Sequence, residues 1–346
     1  MLEDELIALF HGAADASSLD DCAALPAAPH RNGTELVTTD SMVEGTHFRR
    51  DWSSPEQVAH KLFQVNLSDL GASGGVPRWA LLNLGLPADH DPAWARAFAR
   101  ALREELARSN CALIGGDTFR APVITLGLTL GGPAARVLTR SNGRPGDALY
   151  LTGEIGLALA GYRLLNGDIQ TAGEDEDARR ARERHLAPRA RFEWARQIAA
   201  HPGVHAVMDL SDGLFADAGR FARASHLDLG IELDDLPADT VLGRGWLSDE
   251  DVVFSGEEFE LLFLGEPGLV FDFPCRAIGT AIAGEGRTVY TRSGERVKGW
   301  RDETAGFAHF KHGEPDAGAS SGKERMRATG NGQPISWRTS SLMARL

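Results

Sequence analysis

Asp209, Asp212 and Asp217 fall within nine positions of the segment MDLSDGLFADAG, residues 208–219, where an apolar run gives way to a helical pattern. A carboxylate in the first turn of a helix gains about 0.3–1 kcal/mol from the helix dipole. Carboxylates gathered at a chain reversal also make oxygen-rich sites for hard cations. The arrangement recurs along the chain. Asp20 and Asp21 precede an apolar turn, Thr38-Thr39-Asp40 end a strand core, Asp69 sits in NLSDLGASGG near a helix end, and Asp117 ends LIGGDT. Taken singly, each suits a cap or a turn. Taken together they predict a polynuclear Mg²⁺ centre, provided that the fold brings them to one place. Within the first stretch Asp209 and Asp212 are the expected ligands, with Gly213 letting the backbone approach a ligand closely. Asp217, one turn further on, reads as a solvated face residue.

Several other chemistries are excluded. The chain has no GxxxxGK[ST] phosphate loop, no GxGxxG dinucleotide fingerprint and no HExxH among its 11 histidines. GASGG at 71–75 matches GxSxG with Ser73 in the nucleophile position, but it follows a helix instead of ending a strand, so it is not a hydrolase elbow. Cys22, Cys111 and Cys275 are odd in number, widely spaced and in no CxxC pair. They predict buried small hydrophobes rather than disulfides or a zinc site.

The elements that must position the acidic residues are legible in part. Segments 35–43, 79–86 and 123–130 read as strands from their alternating apolar and β-branched content. Ser54-Pro55-Glu56-Gln57 is a capping box with Pro at the first helical position, and Asp91-Pro92 repeats the cap-then-Pro signal. Trp94, Phe98, Leu102 and Leu106 form a core stripe at spacing four in the second of these helices. The Gly-, Pro- and Arg-rich run 131–149 reads as the link between two halves. Beyond it the pattern predicts strand 148–152, helix 154–165, helix 178–199, strand 205–209, helix 213–225, strands 228–234 and 252–254, and an apolar segment 257–264.

At 346 residues, with 42% hydrophobic and 25% charged residues, the chain has globular composition and room for two domains. No apolar run reaches membrane-spanning length. The start, MLEDELIALFHG, is acidic where a signal peptide is basic and reads as a short amphipathic helix, so a cytoplasmic protein is expected. A net charge of −13 argues against nucleic-acid binding, which relies on Lys and Arg to neutralise phosphates. The residues after Phe310 carry six basic and three acidic side chains, and have the composition of a disordered tail.

The ordered set LDDCAAL (19–25), TTDSMVEGTHF (38–48), VNLSDLGASGGVP (65–77), LIGGDT (113–118), LTRSNGRPGD (138–147), MDLSDGL (208–214), SGEEFEL (255–261) and GFAHF (306–310) resembles the thiamine-monophosphate kinases. That family lies in a superfamily with aminoimidazole ribonucleotide synthetase and selenophosphate synthetase. The resemblance implies an α/β fold of two domains, 1–134 and 135–310, each a mixed sheet with packed helices, and a homodimer. It implies ATP as co-substrate, thiamine monophosphate as acceptor, several Mg²⁺ ions, and no nucleic-acid or membrane partner. By motif, Asp21, Thr38, Thr39, Asp40, Asp69, Asp117, Asp209 and Asp212 would ligate Mg²⁺, and Gly116, Asp117, Arg140 and Ser211 would contact ATP. Asp40, Asp69, Asp117, Asp212 and Arg140 would carry the transfer, while His47, Glu257 and Phe307 would hold the thiamine end. Two features depart from the family: Ser17-Ser18-Leu19 stand where Gly usually precedes the paired aspartates, and the extension after Phe310 matches nothing in the pattern. Another superfamily member acting on a different acceptor, or a non-catalytic nucleotide-binding homologue, are the alternatives.

Overall fold

The computed structural model describes residues 22–26, 34–171, 173 and 175–297. The predicted N-terminal helix, Asp20 and Asp21, Phe307 and the segment after Phe310 lie outside the described residues. Two sheets are present. The first has the order β1-β2-β5-β3-β4, built from β1 (Ala23–Pro26), β2 (Thr34–Val43), β3 (Trp79–Leu86), β4 (Ala112–Arg120) and β5 (Thr125–Ala134). β2 and β3 both run antiparallel to β5, while β4 adds parallel to β3.

Two helices belong to this half. Helix α1 (Pro55–Ala72) starts where the sequence predicts, with the Ser54/Gln57 capping box formed, and α2 (Pro92–Arg108) is capped by Asp91. On α2 the expected stripe is realised, with Phe98, Leu102 and Leu106 buried and Trp94 stacked on Phe98. Helix α1 is different, because it is buried on nearly every side. Val58, Leu62, Phe63 and Leu70 enter the first core, while Gly71 lies against Phe192 and Ala195 of the second half. A helix apolar around most of its circumference has no solvent face, so it must sit between two layers.

The second sheet has the order β12-β11-β8-β10-β6-β9-β7. Its strands are β6 (Ala148–Thr152), β7 (Val204–Leu210), β8 (Leu227–Glu232), β9 (Glu260–Gly265), β10 (Cys275–Ala283), β11 (Thr288–Arg292) and β12 (Glu295–Arg296). Helices α3 (Leu157–Asn166), α4 (Glu176–Leu186), α5 (Phe192–Ala200), α6 (Leu214–Ser225), α7 (Asp239–Gly243) and α8 (Asp249–Val253) accompany it. Strand β7, at one edge of the sheet, is buried along its whole length and packs against α1. Just after β5, the Arg136 guanidinium donates to the carbonyls of Ala199, His201 and Val204, closing the C-terminal end of α5.

Some expectations are corrected. The single helix 178–199 is two, α4 and α5, because Pro188 has no N–H to give and disfavours helical backbone at Ala187. The strand expected at 252–254 is the end of helix α8, nucleated by a Ser248/Asp251 capping box that outweighs the β-branched pair Val252-Val253. The glycines assigned to a linker at 131–132 instead extend β5. A Cβ on Gly131 would meet the Trp79 ring at 2.2 Å, and one on Gly132 the Val76 carbonyl oxygen at 1.8 Å, so both are close-packing glycines. Cys22 and Cys111 are buried and Cys275 is half-buried, and none of the three forms a disulfide.

Candidate active site

The buried helix α1 carries three polar side chains that cannot reach bulk water and must find partners, Lys61, Asn66 and Ser68, and beside them the half-buried Asp69. Each partner is a residue at the candidate site. Lys61, 3% exposed, places Nζ 2.8 Å from Glu257 Oε1 and donates to the His47 carbonyl at 3.0 Å. Asn66 accepts from the Asp40 backbone N–H at 3.0 Å and donates to the Leu62 carbonyl. Ser68 donates to Asp209 Oδ2 at 2.7 Å, a bond between the two halves, and Asp69 accepts from the Thr38 hydroxyl at 2.8 Å. Thr38, Asp40, Asp69 and Asp209 are thereby gathered around the C-terminal half of α1.

Thr39, Gly116 and Asp117 are placed elsewhere. Alternation along β2 turns Thr39 to the opposite face from Thr38 and Asp40, where it donates to the Leu128 carbonyl and accepts from Thr129. Asp117 pairs across from Asn83 on exposed β4. Three strand spacings separate β4 from β2, about 14 Å at about 4.8 Å each, so a single ion cannot join Asp117 to Asp40. Gly116, at φ +147°, brings its Cα so close to Leu82 that a Cβ would lie 1.9 Å from the carbonyl oxygen.

Beyond β7 the chain turns sharply at Ser211-Asp212-Gly213 before α6. The role read for Asp217 is corrected here. Asp217 is fully buried, and its Oδ2 accepts from the backbone N–H of both Ser211 (3.0 Å) and Asp212 (2.9 Å). Arg220 contacts Asp217 Oδ1 at 2.9 Å and also pairs with Asp212. Burial, reinforced by the negative charge of Asp212, pushes the Asp217 carboxyl above the usual range against the pull of Arg220. Arg140 adds its positive charge to the same cluster. Gly213 is required by its φ of +99° and by Phe254, whose carbonyl carbon would lie 3.0 Å from a Cβ.

His47 and Glu257, far apart in sequence, are brought together through Lys61. His47 closes a turn in which its Nδ1 accepts from the Val43 N–H at 3.0 Å, leaving the proton on Nε2. Glu257 and Phe259 adopt left-handed backbone, φ +60° and +51°, at a cost of about 1–3 kcal/mol each. That conformation is held by bonds from Glu257 N–H to the Ser211 carbonyl (2.6 Å) and from Phe259 N–H to the Leu210 carbonyl (2.8 Å). Behind it, fully buried Glu260 pairs with Arg184 (2.8 Å) and Arg191 (2.5 Å). Burial opposes ionisation of Glu257, but Lys61 and then His185 outweigh it and hold the carboxyl below its ordinary value. His185 Nδ1 lies 3.6 Å from Glu257 Oε2. Trp52, Tyr162 and His185 meet edge to face beside it, with ring centroids 5.7–6.3 Å apart.

Lys61, Asn66, Ser68, Asp217 and His185 were missed from sequence. Asn66 and Ser68 stand inside the motif VNLSDLGASGGVP, which was the available signal, whereas Lys61 lies among other polar residues of the helix and carried none. If Asp217 locks the Ser211–Asp212 turn, Asp217→Asn destabilises the protein by about 1–3 kcal/mol, because the Ser211 and Asp212 N–H groups and Arg220 lose a carboxylate acceptor. The exposed control Asp89→Asn shifts stability by less than about 0.5 kcal/mol. Urea unfolding of both variants checks this, and equal shifts would return Asp217 to the surface.

Comparison with known proteins gives the same picture. Residues 19–134 match the N-terminal domain of the AIR synthase related proteins, and residues 144–289 match their C-terminal domain. The thiamine-monophosphate kinase of Leptospira interrogans serogroup Icterohaemorrhagiae serovar Lai (strain 56601) is 39% identical over 282 residues, covering 80% of this chain and 89% of that protein. That of Escherichia coli (strain K12) is 36% identical over 309 residues, covering 84% and 90%. Among solved structures, thiamine monophosphate kinase from Aquifex aeolicus superposes with a TM-score of 0.73 at 28% identity, covering 85% of this chain and 96% of that one. A structure described as AaThiL complexed with AMPPCP and TMP reaches 0.78 at 29% identity, covering 89% and 97%. The hydrogenase maturation protein HypE, at 14% identity and 0.62, shares the fold alone. With both halves of the fold matched and identity above 30% over most of its length, this chain belongs to the thiamine-monophosphate kinase family.

Proposed function

We propose that this protein transfers the γ-phosphoryl group of ATP to the phosphate of thiamine monophosphate, giving thiamine diphosphate and ADP. The observation that carries the reading is that one buried helix presents both ends of the site. Lys61, which holds His47 and Glu257, and Asp69, which joins Thr38, are eight residues apart, about 12 Å along the helix axis at 1.5 Å per residue. A carboxylate and aromatic rings at one end suit a cationic thiazolium and a flat aminopyrimidine. Oxygen ligands at the other suit phosphates with Mg²⁺. Relatives bearing the kinase name, and a neighbour solved with an ATP analogue and TMP, support the same assignment.

The residues fit Mg²⁺ by their chemistry, since Thr38, Asp40, Asp69, Asp209 and Asp212 offer only hard oxygen atoms. Among the described residues no three His, Cys, Asp or Glu side chains form a ready metal cage. Mg²⁺ commonly uses one or two carboxylates together with substrate phosphates and water, so separate carboxylates on β2, α1, β7 and the turn after it suit ions that arrive with ATP. Bound there, Mg²⁺ would neutralise the phosphates and polarise the γ-phosphoryl group. Asp21 and Phe307, outside the described residues, complete the proposed set, and Thr39, Gly116 and Asp117, on the opposite face of β2 and on β4, stand apart from these ligands, so any role of theirs is proposed at a separate place.

An oxygen of the acceptor phosphate forms the new bond to the γ-phosphorus as the bond to the β-bridging oxygen breaks and ADP leaves. A phosphate monoester has a second pKa of about 6, so the nucleophile is ionised at neutral pH and needs no general base. Positioning and charge neutralisation then carry the reaction. Arg140 and the Ser211 backbone are proposed to orient the ATP polyphosphate, and Asp217 to hold Ser211 and Asp212 in place.

We also propose the division 1–134 and 135–310, supported by the end of β5 at Ala134, and a cytoplasmic enzyme. No described helix is long and apolar enough to cross a membrane. A homodimer is supported by edge strand β4, which leaves Leu113, Ile114 and Phe119 exposed at 45%, 62% and 42%.

Purified protein given thiamine monophosphate, ATP and Mg²⁺ is expected to release ADP and thiamine diphosphate in equal amounts. Asp69→Asn should keep the fold and lower kcat by at least about 100-fold. Absence of thiamine diphosphate across a Mg²⁺ titration would defeat the assignment. Light scattering is expected to give twice the 37.2 kDa chain mass, and a monomer mass would remove the dimer.

A further inference from the structure

The Lys61 ammonium belongs to neither the proposed metal ligands nor the residues matched to the thiamine end, yet it is the most deeply buried cation at the site. It comes from α1, in the first half of the chain. Its contacts are the His47 carbonyl at 3.0 Å on the same half and Glu257 Oε1 at 2.8 Å on the other. Burying an ammonium is costly unless it is paired and hydrogen-bonded, so Lys61 fixes the separation between the His47 turn and the Glu257 loop.

The two Glu257 oxygens are thereby made unequal. Oε1 is occupied by Lys61. Oε2 lies 3.6 Å from His185 Nδ1, on a side chain that is about one-third exposed, beside the Trp52, Tyr162 and His185 rings. Burial, and then Lys61, push the His185 imidazolium pKa down to about 4. The ring is therefore neutral near pH 7, and Lys61, in direct contact with Oε1, is the principal positive charge beside Glu257. An ionised oxygen facing aromatic edges suits the amino group or cationic ring of a flat heterocycle.

We propose that Lys61 is a positioning residue that turns Glu257 Oε2 toward the heterocyclic end of the acceptor and so sets acceptor affinity without touching the phosphates. This rests on the reading above, in which Glu257 faces thiamine monophosphate. Without Lys61 the carboxyl loses the partner that keeps it ionised and aimed, and acceptor binding weakens while nucleotide binding does not.

Steady-state kinetics and calorimetric binding of thiamine monophosphate, on the full chain, separate these effects for wild type, Lys61→Met, Lys61→Arg, Glu257→Gln and the Lys61→Met/Glu257→Gln pair. Lys61→Met should raise KM and Kd for thiamine monophosphate about tenfold or more, with KM for ATP and kcat within about twofold. Lys61→Arg should restore most of the affinity, and the double variant should bind no more weakly than the weaker single one. Equal shifts in both KM values, an unchanged Kd, or multiplicative losses in the double variant would each overturn the proposal. Should Lys61→Met fail to fold, the Lys61→Arg and Glu257→Gln comparison decides alone, with unchanged acceptor affinity in both overturning it. Wild type that binds thiamine monophosphate but does not phosphorylate it would defeat the reaction while leaving Lys61 tested by Kd. Wild type that does not bind it at all would defeat both.

Discussion

A helix enclosed by two layers cannot leave a polar side chain unanswered, and that constraint organises this protein. Lys61, Asn66 and Ser68 on α1 are at most 3% exposed. An unpartnered amide or hydroxyl in such a place costs about 1–3 kcal/mol, and an unpaired ammonium more. Each finds its partner at the functional site: Glu257 and the His47 carbonyl, the Asp40 backbone, and Asp209. The bonds that make burial of α1 tolerable are thus the bonds that set the positions of the site residues. Two of them, Lys61–Glu257 and Ser68–Asp209, cross between the halves, so assembly of the site and docking of the halves are one event.

Electrostatics follow from the same arrangement. A chain of net charge −13 that handles polyphosphates must supply local positive charge. Arg220 and Arg140 provide it around Asp212 and Asp217, and Lys61 provides it beside Glu257. Glu257 N–H donates to the Ser211 carbonyl, so the loop proposed to face the heterocycle and the turn proposed to face the nucleotide share a backbone bond. Strain at Glu257 and Phe259 sits where the two proposed ligand-binding segments meet, a common location for backbone held in unfavourable conformations.

What could be read from sequence was local. The capping boxes before α1 and the Asp91 cap before α2 involve residues within three positions, and both helices begin where those signals lie. The α2 stripe was legible from periodicity, and the motif order was enough to identify the family. Misreadings arose where a distant contact decides. Asp217 has the spacing of a surface carboxylate, but it folds back on amides five and six residues earlier, a contact with no periodic signature. A lone lysine in a helix reads as solvent-facing, and only packing of α1 between halves shows Lys61 to be buried. Val252-Val253 looked like a strand because β-branched content was weighed above the cap at Ser248. Strand β4, rich in glycine and exposed along its length, carries little alternation to detect.

The central claim, that α1 joins both halves through its buried polar contacts, is tested most directly by native-state hydrogen exchange as a function of denaturant. The account predicts that α1 amides open only in the global unfolding step, with the same free energy as the amides of β5 and of β7. Contradiction would come from α1 exchanging together with β5 in a lower-energy opening that leaves β7 and β9 protected. In that case the halves would be independent units and the site merely their point of contact.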